Sequence, residues 1–504
     1  MWSRVTSTSD YWLTRFVVLR LLGFIYLFAF LTLVYQGIPL IGENGLLPAE
    51  NFLEFYGSRF DSRFDAFVSL PTLFWFHISD GLILALAWVG VVLSSVIIIG
   101  FANVPLLFLI WALYMSFDHI GQIWYGYGWE AQLLETSFIA IFMVPTLDPR
   151  PFPRTPPPVL IIWLLRWLAF RIYLGAGLIK IRGDECWREL TCLFYHYETQ
   201  PIPNPLSPLF HFSSKAFHVL GVLWNHVSEL VAPFFAFWPR RARLSAGVLF
   251  VFFQLFLILS GNLSFLNWLT IVPALACFDD GFLKRFLPRF ITKRAEVAAR
   301  NARPSRVQFV VSLVVVLAVG WLSIPVVQNL LSSRQLMNSS FNQLHIVNTY
   351  GAFGSVGKQR LELIVAGTSD EQITAETQWK EYQFKAKPGD PYRRLPIVAP
   401  YHYRVDWQIW FAAMSKPEYH PWLIHLIWQF LHNDPGALSL IAHNPFPDEP
   451  PRFIRVDRYQ YSFVPPGDTS GAVWNRTYLG QWLPPLSQDT PELVEFIRAN
   501  NWKP

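Results

Sequence analysis

The sequence predicts a polytopic α-helical membrane protein of eight or nine spans that ends in an extracytosolic, strand-rich α+β domain. Three observations carry this prediction. Of the 504 residues, 53% are hydrophobic and only 15% charged, against about 25% charged in an ordinary soluble domain. Apolar runs long enough to span a bilayer recur through the first two thirds of the chain. From Leu331 they give way to alternating apolar and polar residues punctuated by Gly, Pro, Asn and Asp.

The apolar runs fall at about 16–35, 82–100, 104–124, 130–146, 159–181, 216–238, 244–263, 264–278 and 307–330. The first is of spanning length with no small-residue cleavage site after it, and reads as a signal anchor. The eighth is short and abuts the seventh near Gly261-Asn262, as a span or as one arm of a broken hairpin. Lys and Arg set the orientation. With the N-terminus inside (Arg4, Arg15), the inner connections collect Arg150 and Arg154, then Arg240, Arg241 and Arg243. They also collect the 279–306 loop with Lys284, Arg285, Arg289, Lys293, Arg294, Arg300, Arg303 and Arg306. The two strongest basic clusters share a side if there are nine crossings rather than eight. The 36–70 connection, with Glu43, Glu50, Glu54, Asp61 and Asp65, then lies outside. Membrane orientation explains the net charge of +5, and nucleic acid is not expected as a partner. The chain divides into a membrane domain, 1–330, and an extracytosolic domain, 331–504.

The fifth run, RWLAFRIYLGAGLIKIRGD, keeps Arg166, Arg171 and Lys180 where a charge costs about 2.5–3.5 kcal/mol. Arg166 and Lys180 lie near enough to the ends to snorkel, whereas Arg171 needs a buried partner. The candidates are Asp118, Glu130, Glu135 and Glu229, stranded in other apolar runs. These buried charges are expected to hold helices together, and Gly175 and Gly177 to let a neighbour approach.

Catalytic and metal signals are absent. His119, His196, His211, His218 and His226 lack metalloprotease spacing, and His420, His425 and His432 are poorly spaced for one helical face. No metal site, cofactor or catalytic residue is expected, and no nucleophile elbow occurs. GAFGSVGK at 351–358 lacks the spacing of a phosphate loop and reads as a turn. HYETQPIPNPLSP at 196–208 reads as an ordered extended loop, a lid on the outer face. Cys186 and Cys192, outside, form either a local disulfide or two free thiols. Cys277 reads as a buried small hydrophobe.

In the last third, RLELIVAGT, QWKEYQFKA and RFIRVDRYQYSFV read as strands. YRVDWQIWFAAMSK, HPWLIHLIWQFLHND and PGALSLIAHN read as helices. The strands could present edges or aromatic patches to another chain. Asn338 and Asn475 are glycosylation sequons on the outer side; Asn262, at a membrane turn, is a poor acceptor.

The blocks GWEAQLLETSF, FRIYLGAGLIKIRGDECWRELTCLFYHYETQPIPNP, SGNLSFLNWLT, LSSRQLMNSSFNQLHIVNTYGAFGS and PYHYRVDWQIWFAA closely resemble the lipase maturation factor family, from about Tyr11 to Trp502. The likeness is nearest the first of its two vertebrate-type paralogues. The resemblance implies a non-enzymatic folding factor that helps secreted homodimeric lipases of the lipoprotein lipase type reach an active state. It implies an endoplasmic-reticulum membrane protein with a lumenal C-terminal domain, or an inner-membrane protein in a bacterium. Its partners would be client lipases, membrane lipids and lumenal folding or redox proteins. Asp184, Cys186, Trp187 and Cys192 become candidates for client or redox contact. The competing reading is an intramembrane enzyme acting on a lipid-soluble substrate, weakly similar to vitamin K-dependent carboxylases, with Arg171, Lys180, Glu135 and His119 lining a pocket.

Overall fold

The computed structural model describes residues 10–502, so Arg4 lies outside the described residues. Helices occupy each of the nine apolar runs. The numbered ones are α1 Trp12–Ile41, α2 Asp80–Ile99, α3 Val104–Ile120, α4 Gly128–Ile141, α5 Val159–Gly183, α6 Lys215–His226, α7 Arg240–Ser260, α8 Leu266–Ala274 and α9 Arg306–Leu331. Five of these, α1, α2, α5, α7 and α9, have the length and hydropathy to cross a membrane. The other runs give shorter helices. The fourth stops at Ile141, and a π turn, Val227–Val231, interrupts the sixth. Local signals set several starts. Ser79, Asn103, Ser214 and Ser305 each accept a hydrogen bond from a backbone N–H in the first turn of the following helix.

The connections gather into two groups. In one, Trp12 and Leu13 donate their N–H groups to Asp280 at 3.1 and 2.8 Å. Arg15 donates to the Thr155 carbonyl at 2.9 Å, and the Arg303 N–H to the Arg154 carbonyl at 2.8 Å. Arg240 and Arg243 pair with Asp279 at 2.7 and 2.9 Å. The other group joins the C-terminal region. Gln36 donates to the His402 carbonyl, Gln122 to the Leu47 carbonyl, and the Asn262 N–H to the Ile202 carbonyl.

The C-terminal region holds a four-stranded antiparallel sheet in the order β2-β1-β3-β4, with β1 Arg360–Thr368, β2 Lys380–Glu381, β3 Phe453–Phe463 and β4 Trp474–Leu486. Central β1 is buried along almost its whole length. Helix α10 Arg404–Ala413 packs against β1 and α11 Pro421–Leu431 against β3. Several segments differ from the sequence reading. QWKEYQFKA yields only two-residue strands: after the Tyr382 N–H bonds the Val365 carbonyl the segment leaves β1, and Gln383–Phe384 pairs elsewhere. The segment read as a helix at PGALSLIAHN ends at Ser439 and becomes a strand, Ile441–His443, that pairs with Gln383–Phe384. The longest strand, β4, and a C-terminal helix, Pro491–Ala499, were not anticipated. Pro484 and Pro485 masked β4; an edge strand tolerates proline because its outward N–H needs no partner.

One hydrophobic core runs through both regions, from Trp12 and Leu133 to Trp407 and Trp422. The boundary drawn at 331 is a change of composition and marks no break in packing.

Candidate functional site

The charges of α5 meet partners from far along the chain. Arg171 forms a buried ion pair with Glu135 of α4 and donates to the Asn348 carbonyl at 2.8 Å. Glu135 also accepts from the Asn348 N–H at 3.1 Å and the Tyr350 hydroxyl at 2.6 Å. The strand of chain after α9 thus threads back onto α4 and α5 and completes the pair. Lys180 bonds Glu229 at 2.6 Å and Asn225 at 2.9 Å, beneath the Trp187 indole at 4.9 Å. Glu229 sits in the π turn, which widens the helix there and brings its carboxylate level with Asn225. Glu130 pairs instead with Arg404 of α10 at 2.9 Å and bonds the Tyr114 hydroxyl.

Snorkelling does not occur. Arg166 and Lys180 are 3% and 5% exposed, because neighbouring segments extend past them. Arg166 donates to the Ala276 carbonyl at 2.9 Å and the Tyr11 hydroxyl at 2.8 Å. The two glycines serve different neighbours. A Cβ on Gly175 would meet the Tyr350 carbonyl oxygen at 2.6 Å, whereas one on Gly177 would meet Glu229 and Leu230 of the π turn.

Asp118 lies against His345, Oδ2 to Nδ1 at 3.2 Å, with His119 beside them. The ligand atoms of the three lie within 4.8 Å of one another, near enough to share an ion, where the sequence suggested no metal cluster. Two adjacent residues from α3 meet one from beyond α9, a combination that spacing along the chain does not reveal. Burial pulls the His345 pKa down, but the Asp118 carboxylate outweighs that and raises it above the usual imidazole value. With a raised folded-state value, the contact stabilises fully below about pH 6.5 and is lost as pH rises through the folded pKa. Between about pH 6 and about pH 8 the thermal midpoint of the parent is expected to fall more than that of His345→Gln. Parallel curves would remove the contact from the account.

Cys186 and Cys192 are joined in a disulfide, which decides between the two alternatives. Asp184 accepts from the Cys186 N–H at 3.0 Å and the Val356 N–H at 3.1 Å, and the Trp187 indole donates to the Phe353 carbonyl at 2.9 Å. Cys186, Trp187 and Cys192 are buried, so they fasten the end of α5 to the 353–356 turn. Replacing both cysteines with serine is expected to cost about 2 kcal/mol from the short loop the bridge closes, read as a lowered thermal midpoint without reductant. Cys277 is free and buried. Asn338 and Asn475 are exposed, whereas Asn262 is clamped inside, donating to the Pro396 carbonyl and accepting from the Val398 and Ala399 N–H groups.

The 196–208 loop is no free lid. Thr199, Gln200, Ile202, Asn204 and Ser207 are buried, and Arg360 of β1 donates to the carbonyls of Glu198 and Pro201 at 2.8 and 2.9 Å and to that of Gln200. Arg360 in turn pairs with Glu362, which also holds Lys387 at 2.9 Å. Between this loop, α5, α8 and the 350–361 segment lies a cavity of about 450 Å³. A smaller one of about 90 Å³ shares its walls and ends at Lys180, Asn225 and Glu229. The GAFGSVGK turn lines the larger cavity.

Asn348, Tyr350, His345, Arg360 and Arg404 escaped the sequence reading. Asn348 bonds Arg171 across 177 positions and Glu135 across 213, separations at which no periodicity operates.

Residues 13–285 match the family model for the lipase maturation factor transmembrane domain, and residues 346–484 that for the lipase maturation factor C-terminal domain. Lipase maturation factor 1 of Bos taurus is 48% identical over 98% of this chain and 92% of its own length. That of Homo sapiens is 48% identical over 98% and 91%. Lipase maturation factor 2 of Homo sapiens is 27% identical over 96% and 84%. No solved structure matches the chain. The match covers both the helical part and the strand-rich part that Arg171, Glu135 and Asn348 tie together, and the chain belongs to the lipase maturation factor family.

Proposed function

We propose that the protein is a membrane-bound maturation factor that brings secreted lipases to their active state without itself catalysing a reaction. The observation that carries this is the 48% identity to lipase maturation factor 1 over nearly the whole chain. Client contact is assigned to the C-terminal sheet. Its β2 edge is two residues long, whereas β4 offers a long edge with exposed Tyr478 and Leu479. Unpaired strand edges take up extended segments of other chains, and Pro484 and Pro485 restrict the open part to the first ten residues of β4.

The site of action is the endoplasmic-reticulum membrane in a eukaryote, with residues 331–504 in the lumen. Two features support this orientation. The basic clusters at 240–243 and 284–306 share the end of the bundle that holds Arg15 and Asp279, and the C-terminal region joins the connections of the opposite end. That alternation is the support for reading nine crossings rather than eight.

The reading is tested by lipase specific activity, normalised to lipase mass, in cells lacking the protein and after re-expression. Restoration by the parent is expected. A Tyr478→Asp, Leu479→Asp variant that folds normally is expected to restore about a tenth as much, a loss of ~1.4 kcal/mol in client affinity. Equal activity with and without the protein would sink the proposal.

A further inference from the structure

We propose that the joined cavities bind a single-tailed, membrane-soluble lipid whose uncharged head carries a carbonyl or hydroxyl oxygen. The two chambers share Ile172, Ala176, His196, Leu263, Leu266 and Phe353 as walls, and the larger has the volume of a small-molecule site. Trp129, Trp407 and Trp410 line it beside the glycine-rich 351–357 turn, and apolar surface predominates. Half-exposed Met414 and Phe411 mark where it opens outward.

The inner chamber holds polar groups that the protein leaves unsatisfied. Lys180 has three N–H donors, of which Glu229 and Asn225 take two. The Tyr197 hydroxyl, on the chamber wall, is buried and has no hydrogen-bond partner among the described residues. The His196 ring lies on the same wall, and burial holds its pKa down at about 4, so it is neutral. A buried hydroxyl without a partner costs about 1–3 kcal/mol, which a ligand oxygen would relieve.

The head is uncharged because Glu229 already balances Lys180; an anion would leave the pair with excess negative charge in an apolar setting. The tail is a hydrocarbon because apolar surface predominates in the wider chamber. A peptide fits poorly. Each of its residues would bring a backbone N–H and C=O into a chamber whose surface is mostly apolar.

The site stands apart from lipase binding on β4, and its test uses purified full-length protein in detergent with no lipase present. The probe is a photoreactive sixteen-carbon fatty alcohol, compared with the matching fatty acid and a two-chain phosphatidylcholine. Saturable crosslinking confined to peptides within 172–201 and 350–361 is expected. Ala176→Phe, which fills the junction of the chambers, is expected to weaken labelling about tenfold. Tyr197→Phe, which removes one hydroxyl, is expected to weaken it about fivefold. Should Ala176→Phe fail to fold, Tyr197→Phe decides. Labelling spread over the lipid-facing sides of α2 and α9, or unaltered in both variants, overturns the site. Stronger labelling by the acid overturns the uncharged head.

Discussion

Glu135→Ala is expected to destabilise the protein by about 3–5 kcal/mol, the usual result of removing one partner of a buried ion pair. The side chain it deletes receives Arg171, the Asn348 N–H and the Tyr350 hydroxyl. Its loss leaves a guanidinium that is 1% exposed without its counter-charge. The segment that returns from α9 loses its anchor at the same time. The measurement is the thermal midpoint in detergent, with protease sensitivity at 338–350 as a local readout. Arg171→Leu added to Glu135→Ala is expected to restore part of the loss, because it removes the stranded charge. An unchanged midpoint in the single variant would show that the pair does not hold the two regions together.

Arg360→Ala is the second large effect, expected to cost about 3–5 kcal/mol. The fork of this side chain holds the carbonyls of Glu198, Gln200 and Pro201 in the 196–208 loop while pairing with Glu362. Arg360→Lys is expected to recover little, since an ammonium lacks the planar fork that reaches several acceptors at once. Hydrogen exchange across 198–207 and 360–366 reads the effect directly. Faster exchange in the loop alone, with the sheet unaffected, would confine the residue to a local clamp. Unaltered exchange in both would remove it from the fold's supports. Because the loop forms one wall of the larger cavity, Arg360→Ala is also expected to weaken labelling by the lipid probe.

The helices of the membrane part were legible because burial in a bilayer and burial in a bundle demand the same thing, a long run of apolar residues. Their starts were not: the caps Ser79 and Asn103 emerged only in the structure. The central strands were legible for the same kind of reason: β1 and β3 are rich in β-branched and aromatic residues. The edge strand β4 was not, since its alternation is broken by Gly480 and by the proline pair.

The buried charges were legible as anomalies. That Arg171 needed a buried partner, and that Glu135 and Glu229 were among the candidates, followed from the cost of a charge in an apolar segment. Which acid met which base did not follow. Asp118, Glu130, Glu135 and Glu229 were equivalent candidates for Arg171 until the helices were placed, and they met His345, Arg404, Arg171 and Lys180 respectively. Lys180 lay near a helix end and suggested snorkelling, yet packing by the π turn and Trp187 enclosed it.

By itself the sequence determined that the chain enters the membrane, where its composition changes, which of its charges needed partners and which family it resembles. These follow from local patterns, since hydropathy, spacing and motif are read over a few tens of residues. Only the tertiary structure decided the pairings, the disulfide, the clamping of the 196–208 loop by Arg360 and the two adjoining cavities. Each depends on contacts between residues far apart in the chain, and a contact at that separation is fixed by how helices and sheet pack against one another, which no local pattern encodes.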